Sequence, residues 1–145
     1  MDVSASPKVR IERIKRRADF LRAQKFRRQV TPGLTLESCR SPDEAPSTGC
    51  RVGFTASRKV GSAVARNRAK RRLRAAAAAI LPLLGREGHD YVLVAKVATL
   101  SRPYAALVAD LTKALTAANA ELEAAAKRGR SSARKDDDES NPPKR

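Results

Sequence analysis

Nine basic residues and no acidic one stand between Arg51 and Arg74: Arg51, Arg58, Lys59, Arg66, Arg68, Lys70, Arg71, Arg72 and Arg74. The chemistry open to such a run is electrostatic. Guanidinium forks match phosphate oxygens bidentately, and ammonium groups act beside them as point charges. At 3.6 residues per turn, Ala65, Ala69, Leu73, Ala76 and Ile80 fall on one helical stripe that can pack on a sheet. Arg66, Lys70 and Arg74 then line one flank at i, i+4 and i+8, and Arg68, Arg71 and Arg72 take the outer side. Asn67 sits among them with an amide that both donates and accepts. Like charges at that spacing destabilise an isolated helix by about 0.2–0.5 kcal/mol per pair. A solvated face usually mixes signs, and this one does not. Arg58, Lys59 and Gly61 precede the helix, where its first N–H groups can also meet an anion. Gly53 and Gly61 fit neither a Walker nor a dinucleotide spacing.

The other reactive residue types are sparse. Cys39 and Cys50 are the only cysteines, too few for a structural zinc site. A disulfide between them is geometrically conceivable across a hairpin, though a cytosolic setting weighs against it. His89, the sole histidine, lies between Gly88 and Asp90 and is taken as a turn residue. Glu12, Asp19, Glu37, Asp90 and Asp110 are scattered singly, with no pair at metal-site spacing. No catalytic residue and no protein metal site is therefore expected.

The bulk composition agrees. In 145 residues, 31 Lys and Arg face 15 Asp and Glu, a net charge of +16, with a pI near 11.0. Such a chain repels itself unless a polyanion neutralises it, and nucleic acid is the commonest one. The longest apolar run, Ala75 to Leu81, falls far short of the roughly 20 residues a membrane span needs. The N-terminus has no apolar signal-peptide core. A cytoplasmic protein without a membrane partner is expected.

The elements that would hold the basic run follow from periodicity and punctuation. Residues 1–7 are expected to be disordered. Residues 8–28 carry ten basic residues against Glu12 and Asp19. Their spacing predicts an extended lead-in and a short amphipathic helix around Ala18 to Phe26, ended by Thr31-Pro32-Gly33. Leu34 to Cys39 and Arg51 to Ser57 are predicted strands flanking a polar loop. Ser62 is the expected N-cap of the basic helix, which should stop at Pro82. Tyr91 to Val97 is an apolar, central strand. A last helix has Pro103 in its first turn and Leu107, Leu111 and Leu115 as its stripe. Residues 127–145, KRGRSSARKDDDESNPPKR, carry charge in blocks and are expected to form a disordered tail. The predicted fold is α+β: one small domain over 8–126, helix–strands–helix–strand–helix, with a sheet of about four strands.

Residues 52–74, V-G-F-T-A-S-R-K-V-G-S-A-V-A-R-N-R-A-K-R-R-L-R, resemble the signature of the bacterial ribonuclease P protein subunit, an R-N-R helix segment followed by K-R and a later Arg. Here those positions are Arg66, Asn67, Arg68, Lys70, Arg71 and Arg74. Ala18-Asp19-Phe20 is similar to the family's first-helix start, and residues 89–94 to its following strand, so the likeness spans about 8–120. The resemblance implies that the basic helix is a left-handed crossover between parallel strands, where general chirality would favour a right-handed one. It implies that this helix, with Arg58 and Lys59, faces a large catalytic RNA that holds Mg²⁺. It also implies that a cleft between the first helix and the open sheet face takes the single-stranded 5′ leader of precursor tRNA, with Phe20, Thr55 and Ser57 on that cleft. Many family members carry a second aromatic four residues after the Phe20 position. Here that residue is Gln24, with Phe26 two further on, so Gln24 or Phe26 could take the place. Phe20 can equally be a core residue, and Phe54 alternates with Val52 and Ala56 as core. A structural RNA-binding protein of the ribosomal type shares this composition, and a DNA-binding protein with a basic recognition helix is a further alternative.

Overall fold

The computed structural model describes residues 9–42 and 49–139. In chain order its elements are β1 (Arg10–Arg13), α1 (Arg17–Gln24), β2 (Arg27–Val30), β3 (Leu34–Arg40), β4 (Gly49–Thr55), a 3₁₀ turn (Arg58–Val60), α2 (Ala63–Leu84), β5 (His89–Ala95), a second 3₁₀ turn (Val97–Leu100) and α3 (Tyr104–Glu139). The class is α+β, as expected, but the sheet has five strands in the order β1-β4-β5-β3-β2. β4 runs parallel to both β1 and β5, while β3 is antiparallel to β5 and β2. Because β4 and β5 are parallel neighbours, α2 is the crossover between them.

Strand alternation divides the side chains between two unlike sheet faces. Leu34, Leu36, Cys50, Val52, Phe54, Tyr91, Leu93 and Ala95 turn to one face and form the main core with α2 and α3. α2 contributes Ala69, Leu73, Ala76, Ala77 and Leu81 to this core, and α3 contributes Leu107, Leu111, Ala114, Leu115 and Ala118. Each fully buried leucine here stabilises the fold by about 1.5–3 kcal/mol. The Tyr91 hydroxyl ties three elements together. It donates to Asn119 Oδ1 at 2.7 Å and accepts from the Arg86 N–H at 3.0 Å, while Asn119 Nδ2 donates to the Leu84 carbonyl at 2.8 Å.

Among the described residues, the opposite face is covered by α1 alone. Ile14, Ala23, Cys39 and Val92 form a small second core there, with Phe20 and Val94 against it. β1 and β2 lie on opposite edges of the sheet, so the segment between them carries α1 across this face. Cys39 and Cys50 therefore belong to different cores on opposite faces, and both are free. The conceivable disulfide does not form. Burial pushes both thiols up to about 11, which leaves them poor nucleophiles near neutral pH.

Several boundaries differ from the sequence expectation. The lead-in is a strand, because Arg10–Arg13 pairs in parallel with Gly49–Val52. The residues after α1 form β2, and Thr31-Pro32-Gly33 turns a hairpin into β3 rather than merely ending a helix. Thr31 closes that turn by donating to and accepting from Leu34. α2 does begin after Ser62, whose hydroxyl accepts the Ala65 N–H at 3.2 Å. It passes through Pro82 to Leu84, and Gly85 then caps Leu81. Proline is tolerated in this last turn because the carbonyl it frees belongs to the exposed Ala78. The α3 backbone is helical to Glu139, beyond the expected boundary at 126. The expected disordered N-terminus lies outside the described residues, as do 140–145 of the expected tail.

Candidate RNA-binding surfaces

The first surface is the outer face of α2. Ser57 caps the 3₁₀ turn before it by accepting the Lys59 N–H at 3.3 Å, leaving Arg58 and Lys59 exposed at the helix start. Gly61 then takes φ +141, a conformation that L side chains rarely adopt, and lets the chain swing into α2. Asn67, Arg68, Arg71 and Arg74 are exposed, and Arg66 and Lys70 are half-buried.

The described ion pairs lie elsewhere. They join Arg10 to Glu12, Arg27 to Glu121, Arg28 to Glu37, Arg51 to Asp19 and Asp90, Arg86 to Glu123, and Arg102 to Asp110. Among the described residues, no cation of the 58–74 segment has an intramolecular carboxylate partner. Arg10, Arg27, Arg28, Arg51, Arg86 and Arg102 are paired, whereas this ridge gathers its cations with no carboxylate beside them, a surface matched to an external polyanion.

Two members of the basic run are not part of that surface. Arg72 turns inward and donates to the Thr99 carbonyl at 2.6 Å and the Leu100 carbonyl at 3.1 Å, fastening α2 to the turn before α3. Arg51 lies under α1. It grips Asp90 through Nε (2.8 Å) and Nη2 (2.6 Å), and its Nη1 is 3.3 Å from Asp19 Oδ2. Ser41 adds a hydrogen bond to Asp90 Oδ1 at 2.6 Å. The Asp90 carboxylate raises the guanidinium pKa further above its ordinary value. Asp19 and Asp90 are thus brought to one place despite their scatter in sequence. The charge between them is an arginine, so the pair joins α1, β4 and β5 electrostatically.

The second surface is a cavity of about 330 Å³ between α1 and the open sheet face. Phe20, Thr55 and Ser57 all line it. Gln24 lines it too, one turn beyond Phe20, whereas Phe26 is 62% exposed and stands outside. Phe20 serves as both core and wall, since it also packs on the small second core. Phe54 lies in the main core on the other face. Arg17, Leu21 and the Arg28–Glu37 pair complete the cavity rim. Sequence reasoning missed these residues, although Arg17 stands at i−3 from Phe20 and so shares its side of the helix.

Gly53 sets how closely α1 approaches the sheet. A Cβ there would fall 2.6 Å from Phe20 Cζ and nearer still to Cε1. Gly53→Ala should therefore push the ring into the cavity and cost about 1–3 kcal/mol by overpacking. Denaturant unfolding checks this, and Phe20→Ala in the same chain should remove the collision component. An unchanged midpoint for Gly53→Ala alone would show that the ring has free space beside it.

The family model described as Ribonuclease P matches residues 9–119. The chain belongs to the bacterial ribonuclease P protein family. It is 50% identical over 103 residues to the ribonuclease P protein component of Ruegeria pomeroyi, covering 70% of this chain and 82% of that one. It is 43% identical over 115 residues to the component from Caulobacter vibrioides, covering 79% and 76%. Among solved structures, the Staphylococcus aureus RNase P protein aligns with a TM-score of 0.59 at 25% identity, over 73% of this chain and 94% of that one. The Thermotoga maritima RNase P protein aligns at a TM-score of 0.58 and 20% identity, over 72% and 94%, a likeness of fold. The match takes in both surfaces, from β1 through the first turns of α3.

Proposed function

We propose that this chain is the protein subunit of ribonuclease P, holding the catalytic RNA on α2 and the 5′ leader of precursor tRNA in the α1 cavity. In that role it promotes endonucleolytic removal of the leader. The observation that carries the reading is the ridge Arg66–Lys70–Arg74, with Arg68 and Arg71 beside it, left without carboxylate partners among the described residues of a member of this family. The α1 cavity supports the second half. It has the basic rim and the single aromatic wall that an unstacked strand can lie against.

The chemistry is assigned to the RNA. Hydrolysing a phosphodiester needs an activated water and charge stabilisation at phosphorus, commonly from two divalent ions about 4 Å apart. Mg²⁺ is held through carboxylates and phosphates in near-octahedral geometry. The described carboxylates do not fit that need: Asp19, Glu37, Asp90 and Asp110 each face an arginine. No group of three His, Cys, Asp or Glu residues gathers among the described residues. The protein's part is to screen phosphate repulsion and position the leader. No helix among the described residues is long and apolar enough to cross a membrane, and the role places the protein in the cytoplasm.

The test is cleavage of precursor tRNA across a Mg²⁺ series by protein alone, RNA alone and both. The protein alone should be inert, and its addition should lower the Mg²⁺ that the RNA requires. Sustained leader removal by RNA-free protein would move the chemistry into the chain. An unshifted Mg²⁺ requirement would remove its electrostatic role.

A further inference from the structure

A groove between β1, β4 and α2 lies on the sheet face opposite the α1 cavity. Val52, Phe54, Ala77 and Leu81 line it, with the exposed Ala78 at its rim. Its volume is about 280 Å³, close to the lower end of the roughly 300–1,000 Å³ typical of small-ligand sites. The floor is apolar and the mouth is cationic. Arg13 from β1 and Arg74 from α2 each place their guanidinium carbon 5.7 Å from the centroid of the same Phe54 ring. Both arginines are exposed, and neither has a carboxylate partner among the described residues.

Two like charges converging on one ring repel each other. The ring face offsets only about 0.5–1 kcal/mol for each at an exposed site. An anion between them would balance the rest. Arg74 is also the last member of the Arg66–Lys70–Arg74 ridge, so the groove opens where a bound polyanion would already lie. A lipid tail or an apolar side chain would use the floor and leave the cations unanswered. A bare phosphate would use the cations and leave the floor empty. An unpaired nucleotide uses both, since splayed RNA bases stack on aromatic rings and arginine planes while their phosphates take guanidinium donors.

We propose that this groove receives one unstacked nucleotide of the ribonuclease P RNA, its base against Phe54 and its phosphate between Arg13 and Arg74. The proposal rests on the function proposed above and adds a base-level contact on the face away from the leader.

The experiment uses the full chain with the transcribed ribonuclease P RNA of its host. Tight, salt-sensitive binding by the wild-type protein tests the parent reading first. Its absence would take the groove proposal down as well, before any variant is made. Ala78→Leu then plugs the groove from its solvent side. Leucine is a good helix former, so the ridge and the core stay in place. The plug should weaken RNA binding on the order of ten- to a hundred-fold, the scale of removing one base stack. Base-specific chemical probing should show one nucleotide protected by wild-type protein and reactive again with Ala78→Leu and with Arg13→Gln. The dependence of precursor-tRNA binding on leader length should not change, because the α1 cavity is on the other face. Full affinity and an unaltered protection pattern in the plugged protein would overturn the proposal and leave the groove to the chain's own N-terminal residues or a second copy. Weaker binding with no single-nucleotide change would also overturn it.

Discussion

Replacing Arg51 by Met should lower the stability of the protein by about 3–5 kcal/mol, the cost of leaving a buried charge without its partner. Methionine fills most of the same volume but supplies no donor. Among the described residues, Asp90, fully buried, would keep only the Ser41 hydroxyl, and Asp19 would lose its one ion-pair partner. At about 2–4 °C per kcal/mol for a domain near 150 residues, the melting temperature should fall by roughly 6–20 °C. Adding Asp90→Asn to Arg51→Met should recover part of the loss, because Asp19 is then the one carboxylate of the triad left without a cation. Thermal unfolding of the three proteins decides it. A loss below about 1 kcal/mol would mean that the triad behaves like a solvated surface pair. The effect should also reach the cavity, since Asp19 is on α1 and its ion pair helps to seat that helix on the sheet.

Removing Arg66 and Arg68 should do the reverse: little harm to the fold and a large loss of RNA affinity. Each charge-assisted hydrogen bond contributes about 1.5–3 kcal/mol, so the double alanine variant should bind the ribonuclease P RNA roughly a hundred-fold or more weakly. Its log–log salt dependence should flatten by about 0.7–0.9 for each phosphate that is no longer neutralised. Its melting temperature should hold or rise slightly, because the replacement relieves like-charge repulsion and alanine has the highest helix propensity. Equilibrium binding across a salt series, with unfolding measured alongside, separates the two readouts. An unchanged salt slope would return this face to the class of solvated charged surfaces.

The basic helix was legible because its signals are local. A Ser N-cap, an alanine-rich interior and an apolar stripe lie within one stretch of chain, and each acts over a turn or two. Periodicity also separated Thr55 and Ser57 from Phe54, since strand alternation needs no knowledge of the partner strand. β1 and β2 were harder for a physical reason. Each has four residues, and two of the four in both β1 (Arg10, Arg13) and β2 (Arg27, Arg28) are arginines. Their strand identity comes from pairing with distant β4 and neighbouring β3, so local pattern carries little of it. Arg51 and Arg72 were counted in the basic run, and Arg72 on the outer side of the helix, because charge in sequence carries no direction. For Arg51 a signal existed: alternation places it on the opposite side from Cys50 and Val52, beneath α1. Its partners, Asp19 and Asp90, are far away in sequence and meet it only through the sheet register. The reach of α2 past Pro82 was hidden because the local rule for proline assumes that the freed carbonyl is buried.

The route of α1 also bears on which changes in chain length the molecule can absorb. Residues 14–26 must bridge four inter-strand gaps, about 19 Å at roughly 4.8 Å each. The eight helical residues supply about 12 Å of this. The short flanks must cover the remainder while climbing out of the sheet plane and returning to it. The segment behaves as a short strap buckled at both edges. Its length, together with the contacts made by Asp19 and at Gly53, sets the width of the cavity beneath it. An inserted turn would let it bow away from the sheet, and a deleted turn would peel β1 or β2 from its edge.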